Sequence, residues 1–232
     1  MKYKNIEKGI FLSRKNRFIA IAEINGKQQE VHVKNTGRLR ELLISGVTAY
    51  FEKSGNPERK TAYDMIAVEN TAEDYSTQIV NIDSNAANDV AQEWIIKSGL
   101  FSDKVVVRRE VKFGSSRFDF YIEDGDDKAF LEVKGVTLKK GNTAMFPDAP
   151  TERGIKHIKE LVAAKQQGYK TYILFVIQMK GVSLFAPNKA THMQFAEALS
   201  DAKKHGVEIY ATDCIVTPDE IIPDTNIKVS TD

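Results

Sequence analysis

Between residues 9 and about 82 the chain alternates apolar and polar positions in short runs. "RFIAIAEI" (17–24) shows the period of two expected of a half-buried strand, and "QQEVHV" (28–33), "GVTAYFEKS" (46–54), "TAYDMIAVEN" (61–70) and "STQIVNID" (76–83) follow as short extended segments. The turn "NGK" between the first two is a hairpin signal. "RLRELLISG" (38–46) predicts a short helix between the second and third. After residue 84 the pattern changes to helical periodicity alternating with strands. "SNAANDVAQEWIIKSG" (84–99) predicts a helix with a Ser cap that ends at Gly99, and "KVVVRREVKF" predicts a strand. The loop "LKKGNTAMFPDAP" precedes a helix, "TERGIKHIKELVAAKQQG", which Thr151 caps and Gly168 ends. "KTYILFVIQ" has the unbroken apolar run of a buried central strand. A helix at "ATHMQFAEALSDAKKHG" and a strand at "VEIYATD" follow.

Five short strands in so few residues suit a small closed barrel of the oligonucleotide-binding (OB) type, although a β-sandwich fragment has the same strand count. The remainder predicts an α/β layer domain with a mixed sheet. The boundary falls between residues 80 and 84, which divides the chain into 1–82 and 83–232.

"RFDFYIEDGDDKAFLEVKGVTL" (117–138) predicts a hairpin around its Asp- and Gly-rich turn. Pairing about Gly125 and Asp126 sets Asp119 opposite Glu132 and Arg117 opposite Lys134. Phe118, Phe120, Ile122, Leu131 and Val133 would share an apolar face, with Arg117, Asp119, Glu132 and Lys134 on the other. Directly opposed Cβ atoms lie roughly 4.5 to 5.5 Å apart, so two carboxylates there repel unless a cation sits between them. Arg117 and Lys134 on a solvated face would meet that need. So would Mg²⁺ or Mn²⁺, since Mg²⁺ binds through one or two carboxylates plus waters and a substrate phosphate. Lys134 would then orient a metal-bound water toward a phosphodiester. Glu110, on the neighbouring strand, would add a third carboxylate if it lies on that face.

Composition narrows the class. The 232 residues are 42% hydrophobic and 28% charged, with a net charge of +1, as in an ordinary globular protein. A single Cys214, no leader pattern and no long apolar run fit a reducing cytoplasm and give no sign of a membrane. Residues 1–60 nevertheless hold 13 Lys and Arg against 6 Glu and no Asp. Basic surface near exposed aromatics suits sequence-tolerant nucleic-acid binding, and a solvated face has the same composition. Arg14, Lys15, Arg17, Lys34, Arg38 and Arg40 with Phe18 are the candidates for such a groove. No helix-turn-helix, zinc-ligand spacing or phosphate-cradling glycine loop is present.

Taken together, "NTG" (35–37), Asn88 and Glu93, "EVKFG" (110–114), "RFDF" (117–120), "LEVKGVTL" (131–138) and "FPDAPTERGIKHIKEL" (146–161) resemble the sugar fermentation stimulation protein (SfsA) family. The spacing of Asp119 from Glu132-x-Lys134 is similar to the core of the PD-(D/E)xK nuclease superfamily. The resemblance implies an OB-like barrel joined to a nuclease-like domain, with DNA as partner. It implies metal binding by Asp119, Glu132 and the helix residue Glu93, and water positioning by Lys134. Arg153, Lys156 and His157, on one side of the first turns of their helix, would with Arg14, Arg17, Lys34 and Arg38 hold phosphates. Two functions follow: a Mg²⁺- or Mn²⁺-dependent nuclease, or a non-catalytic DNA-binding regulator of sugar metabolism genes that keeps the nuclease fold.

Overall fold

The computed structural model describes residues 1–70 and 78–231. In the first part β1 (Ile6–Arg14), β2 (Ile19–Ile24), β3 (Lys27–Val33), β4 (Thr48–Lys53) and β5 (Tyr63–Asn70) form a ring in the order β1-β2-β3-β5-β4. A short parallel pairing of His32–Val33 with Asp64–Met65 closes it. Ala20, Ala22, Ile24, Val31, Val33, Phe51 and Met65, on alternate strand positions, are buried in one cluster.

This is the expected OB-like barrel, but with different strands. β1 lies outside the predicted set because Gly9 and a register shift between Phe11 and Ser13 break its alternation. A Cβ on Gly9 would lie 2.4 Å from the Glu23 carbonyl oxygen, so close strand approach requires glycine there. The fifth predicted strand supplies β6 (Gln78–Asn81), which extends β5 beyond the ring; residues 76 and 77 lie outside the described residues.

The expected helix at 38–46 is a single turn. Leu39 has φ 48°, a left-handed conformation that no α-helix propagates. Leu39 and Leu42 are instead buried in the barrel's cluster.

The second part is a six-stranded mixed sheet ordered β15-β14-β12-β9-β8-β7. It comprises β7 (Val106–Phe113), β8 (Ser116–Asp124), β9 (Asp127–Val136), β12 (Lys170–Ile177), β14 (Glu208–Val216) and β15 (Ile221–Asn226). The neighbours β9, β12 and β14 are parallel, and the remaining pairs antiparallel. Helix α1 (Ala86–Lys97) packs Val90, Ala91, Trp94 and Ile95 with Leu131, Val133, Leu174 and Val176. On the opposite face, α2 (Glu152–Gln166) and α3 (Met193–Lys204) pack Ile158, Leu161, Phe195 and Leu199 with Phe130, Ile173, Phe175 and Ile177. Successive residues of β12 serve opposite faces, so the strand is apolar throughout.

The predicted loop at 138–150 begins as a hairpin, β10 (Leu138–Lys140) and β11 (Thr143–Phe146), turning at Gly141 with φ 55°. β11 pairs in parallel with β13 (Leu184–Pro187), which pairs with β16 (Lys228–Val229). Ser84 does not cap α1. Its hydroxyl donates to the Lys34 carbonyl, while Asp83 accepts from the Asn85 N–H. Thr151 caps α2 as expected, accepting from the Gly154 N–H.

The two parts share polar seams. The Gln178 side-chain amide donates to Asn81 Oδ1 and the Asp83 carbonyl, and the Gln178 backbone carbonyl accepts from the Asn81 N–H. Residues 1–3 return to the second part, with the Tyr3 N–H donating to the Asp219 carbonyl. Among the described residues no helix is long and apolar enough to cross a membrane.

Candidate functional site

Strands β8 and β9 pair in the register set by the turn, from Asp124–Asp127 to Phe120–Leu131. Asp119 therefore falls opposite Glu132, but the backbone ladder stops one pair short. The Asp119 carboxylate takes the place of a ladder acceptor, with Oδ2 2.7 Å from the Val133 N–H. Its other oxygen accepts from Asn88 of α1 at 3.1 Å. Glu110, facing this irregularity from β7, has φ 58°, a conformation costly for a residue with a side chain.

The expected two-faced hairpin is altered at this point. Phe118 packs with Phe113 and Phe130 beneath α2, whereas Phe120, Ile122, Leu131 and Val133 join the α1 cluster. The strand exchanges its faces across Asp119. A helix layer lies on each side, so that Glu132 is buried and Asp119 and Lys134 are half-buried, while Arg117 stays exposed.

Glu132 is 3% exposed. Its Oε1 accepts from Lys134 Nζ at 2.6 Å and is also bonded to His157 Nδ1. Glu132 Oε2 is buried with no hydrogen-bond partner. Burial alone would raise the Glu132 pKa, but Lys134 and His157 outweigh it and hold the carboxyl below its ordinary range. Asp119 moves the other way. Burial first, and the Glu132 charge second, push it up to about 6 against the partial relief of Val133 N–H and Lys134. Arg153 lies exposed above this group, its Nε 3.4 Å from His157 Nε2.

The donor set fits a hard divalent cation. It offers two opposed carboxylates, one with a buried orphan oxygen and the other with its charge incompletely compensated. Among the described residues no group of three or more His, Cys, Asp or Glu side chains converges on a common point. Two carboxylates suit Mg²⁺, which keeps most of its waters and completes its shell with phosphate oxygen.

The structure brings together Asp119, Glu132, Lys134, His157 and Arg153, but not Glu93. That carboxylate holds the Met1 ammonium at 2.5 Å and pairs with Lys97. Five residues separate Glu93 from Asn88, well over a third of a turn around α1, so the helix face that reaches Asp119 presents Asn88. Asn88, which enters the sequence reading only as part of the family resemblance, positions the Asp119 carboxylate through its side-chain amide. Lys156 also departs, its Nζ donating to the Ser115 carbonyl. Glu110 is exposed and lies 3.7 Å from Arg117.

In the barrel, two expected phosphate ligands have other work. Arg14 donates to the carbonyls of Asn35, Gly37, Arg38, Arg17 and Asn16 at 2.7 to 3.2 Å. It is a staple for the loop after β3. Lys34 sits among Asp83, Asp64 and Glu52 at 3.4 to 3.5 Å. Burial works to lower its pKa, but these three acids prevail and raise it. Arg17, Arg38 and Arg40 are exposed and line a groove of about 670 Å³ with Asn16, Thr36 and Ala149.

A closed OB-like barrel followed by a mixed-sheet α/β domain, with an acidic pair across β8 and β9 and a lysine two residues further along β9, is the architecture these observations define. Residues 12–82 match the model described as "SfsA N-terminal OB domain", and residues 85–220 match the "Sugar fermentation stimulation protein RE domain". The chain belongs to the sugar fermentation stimulation protein family. It is 54% identical over 216 residues to the "Sugar fermentation stimulation protein homolog" of Ruminiclostridium cellulolyticum, covering 93% of each chain. Identity to the homolog from Clostridium beijerinckii is 48%, covering 95% of this chain and 96% of that one. Among solved structures, "The structure of Pyrococcus Furiosus SfsA in complex with Ca2+" superimposes with a TM-score of 0.87 at 32% identity, covering 99% and 98% of the two chains.

Proposed function

We propose that this protein hydrolyses phosphodiester bonds in nucleic acid, DNA in the first instance, with Mg²⁺ or Mn²⁺ held by Asp119 and Glu132. The observation that carries this reading is the buried pair itself: Glu132 Oε2 lacks a partner and Asp119 is driven toward neutrality by its surroundings. The Ca²⁺ named for the Pyrococcus furiosus relative supports a divalent cation. A cation bound there would supply Lewis acidity and lower the pKa of an attacking water.

The chain's own groups do the rest. Asp119 and Glu132 would bind through Oδ1 and Oε2, the oxygens least engaged with the backbone or with Lys134. Lys134, now on Glu132 Oε1, is placed to hold the attacking water and offset charge building on the phosphate. His157 fixes the Glu132 rotamer from α2. Arg153 offers its guanidinium, which matches phosphate oxygens in pairs.

The test is cleavage of labelled DNA and RNA, single- and double-stranded, with Mg²⁺ or Mn²⁺ and with EDTA. Lys134→Ala should lower the rate by about 100-fold or more while leaving metal binding measurable by calorimetry. Metal-independent cutting, or full activity in Lys134→Ala, would remove the assignment. The exposed arginine groove favours a second reading, a DNA-binding regulator without turnover. Salt-sensitive binding with no cutting under any of these conditions would select it.

A further inference from the structure

Both loops that carry the family resemblance outside the hairpin, "NTG" and "FPDAPT", meet at a cleft of about 350 Å³. The barrel side is Asn35, Thr36 and Gly37, and the α/β side is Gly135 to Leu138 with Pro147 to Thr151. The loops touch closely: a Cβ on Gly37 would lie 2.7 Å from Asp148 Oδ2. The cleft lies outside the carboxyl ends of the parallel strands β9 and β12, where open α/β sheets take their ligands. Its floor starts one residue after Lys134, and its far wall ends at Thr151, the cap of the helix bearing Arg153 and His157.

The arginine groove adjoins this cleft, and Thr36, Gly37 and Ala149 line both. Next in the chain to Arg17, which lines the groove, Phe18 is 48% exposed, with the Arg17 guanidinium 5.9 Å from its ring centre. The inward positions of β2 are Ala20, Ala22 and Ile24, and Phe18, in the turn just before that strand, belongs to neither buried cluster. Arg17, Arg38 and Arg40 make the groove positive, and among its lining residues no acid appears. Asp148 is the single acid lining the cleft, and a carboxylate there accepts from base amino groups while repelling phosphate.

We infer that groove and cleft form one track for a single strand of nucleic acid leading to the carboxylate pair, with a base stacked on Phe18, phosphates on Arg17, Arg38 and Arg40, and bases turned toward Asp148. A volume of about 350 Å³ is that of a small-molecule pocket, of a size to take an unpaired nucleotide. The combination of basic groove and stacking ring is what strand binding without base pairing requires. This inference names the substrate of the hydrolytic reading above and rests on it for the direction of the track.

The experiment is fluorescence anisotropy with 5′-labelled 20-mers, as single strands and as blunt duplexes, in DNA and RNA, in the presence of EDTA. Single strands are expected to bind at least tenfold more tightly than duplexes. Phe18→Ala should weaken single-strand binding about tenfold, and Ala149→Trp, which fills the junction, should weaken it without altering the Mn²⁺ titration. Equal affinity for duplex, or single-strand affinity unchanged in both variants, would overturn the track. Because EDTA removes the metal, binding is read here apart from cleavage: the expected binding pattern, together with no cutting of the same strands when Mn²⁺ is supplied, would defeat the hydrolytic reading and leave the track standing.

Discussion

Asp119 is held where its charge is disfavoured, and the consequence can be measured as stability. An ordinary aspartate loses its proton near pH 3.9 in the unfolded chain, whereas burial and Glu132 push Asp119 up to about 6 in the fold. Between those values the native state retains a proton that the unfolded state has released, so stability falls as pH rises through about 4 to 6. Above that window the penalty is complete. Asp119→Asn should therefore stabilise the metal-free protein by about 2 kcal/mol at pH 8 and by little at pH 4, measured by urea unfolding. The substituted amide can still accept from the Val133 N–H, while Mn²⁺ binding should be lost. In the parent protein Mn²⁺ affinity should rise with pH through about 6, as the competing proton leaves. Glu110 belongs to the same irregularity through its backbone. Glu110→Val should destabilise by about 1–2 kcal/mol, because a β-branched residue resists φ 58°, and Glu110→Gly should not.

Elements show where sequence patterns carry structural information and where they stop. The hairpin register was legible because the turn residues and the alternation agree on one pairing, which placed Asp119 opposite Glu132. The exchange of faces at Asp119 was not, since it depends on one carboxylate replacing a ladder acceptor for Val133. Likewise β1 was hidden by a bulge, and the turn at Leu39 by an apolar spacing that fits a helix and a barrel plug equally well. Arg14 and Arg38 look alike in sequence; only the convergence of five carbonyls separates a staple from a free cation. Their variants should separate accordingly. Under the proposed reading, Arg38→Ala should reduce the salt dependence of DNA binding by about one phosphate contact and leave stability unchanged. Arg14→Ala should cost about 2–3 kcal/mol in thermal unfolding. Close packing makes a parallel case at β9, where a Cβ on Gly135 would lie 2.5 Å from Gln178 Oε1. The Gln178 amide is tied to Asn81 and Asp83, so Gly135→Ala should destabilise by about 1–3 kcal/mol.

At the scale of the molecule, the division into barrel and α/β domain describes the order of elements along the chain better than its mechanics. Val33, Leu42 and Met65 of the barrel belong to the same contiguous buried cluster as Phe118, Phe175 and Phe195. Across the seam, Lys34 of the barrel meets Asp83 at the approach to α1, and Gln178 ties Asn81 to the end of β12. A molecule joined in this way should melt in a single calorimetric transition, with no separate barrel step. The shared core also fixes how far the arginine groove stands from Asp119 and Glu132. Under the proposed reading, a strand anchored at Phe18 would always reach the scissile position after the same number of nucleotides. The protein would then work as a ruler, and its first products would gather at one length instead of spreading into a ladder.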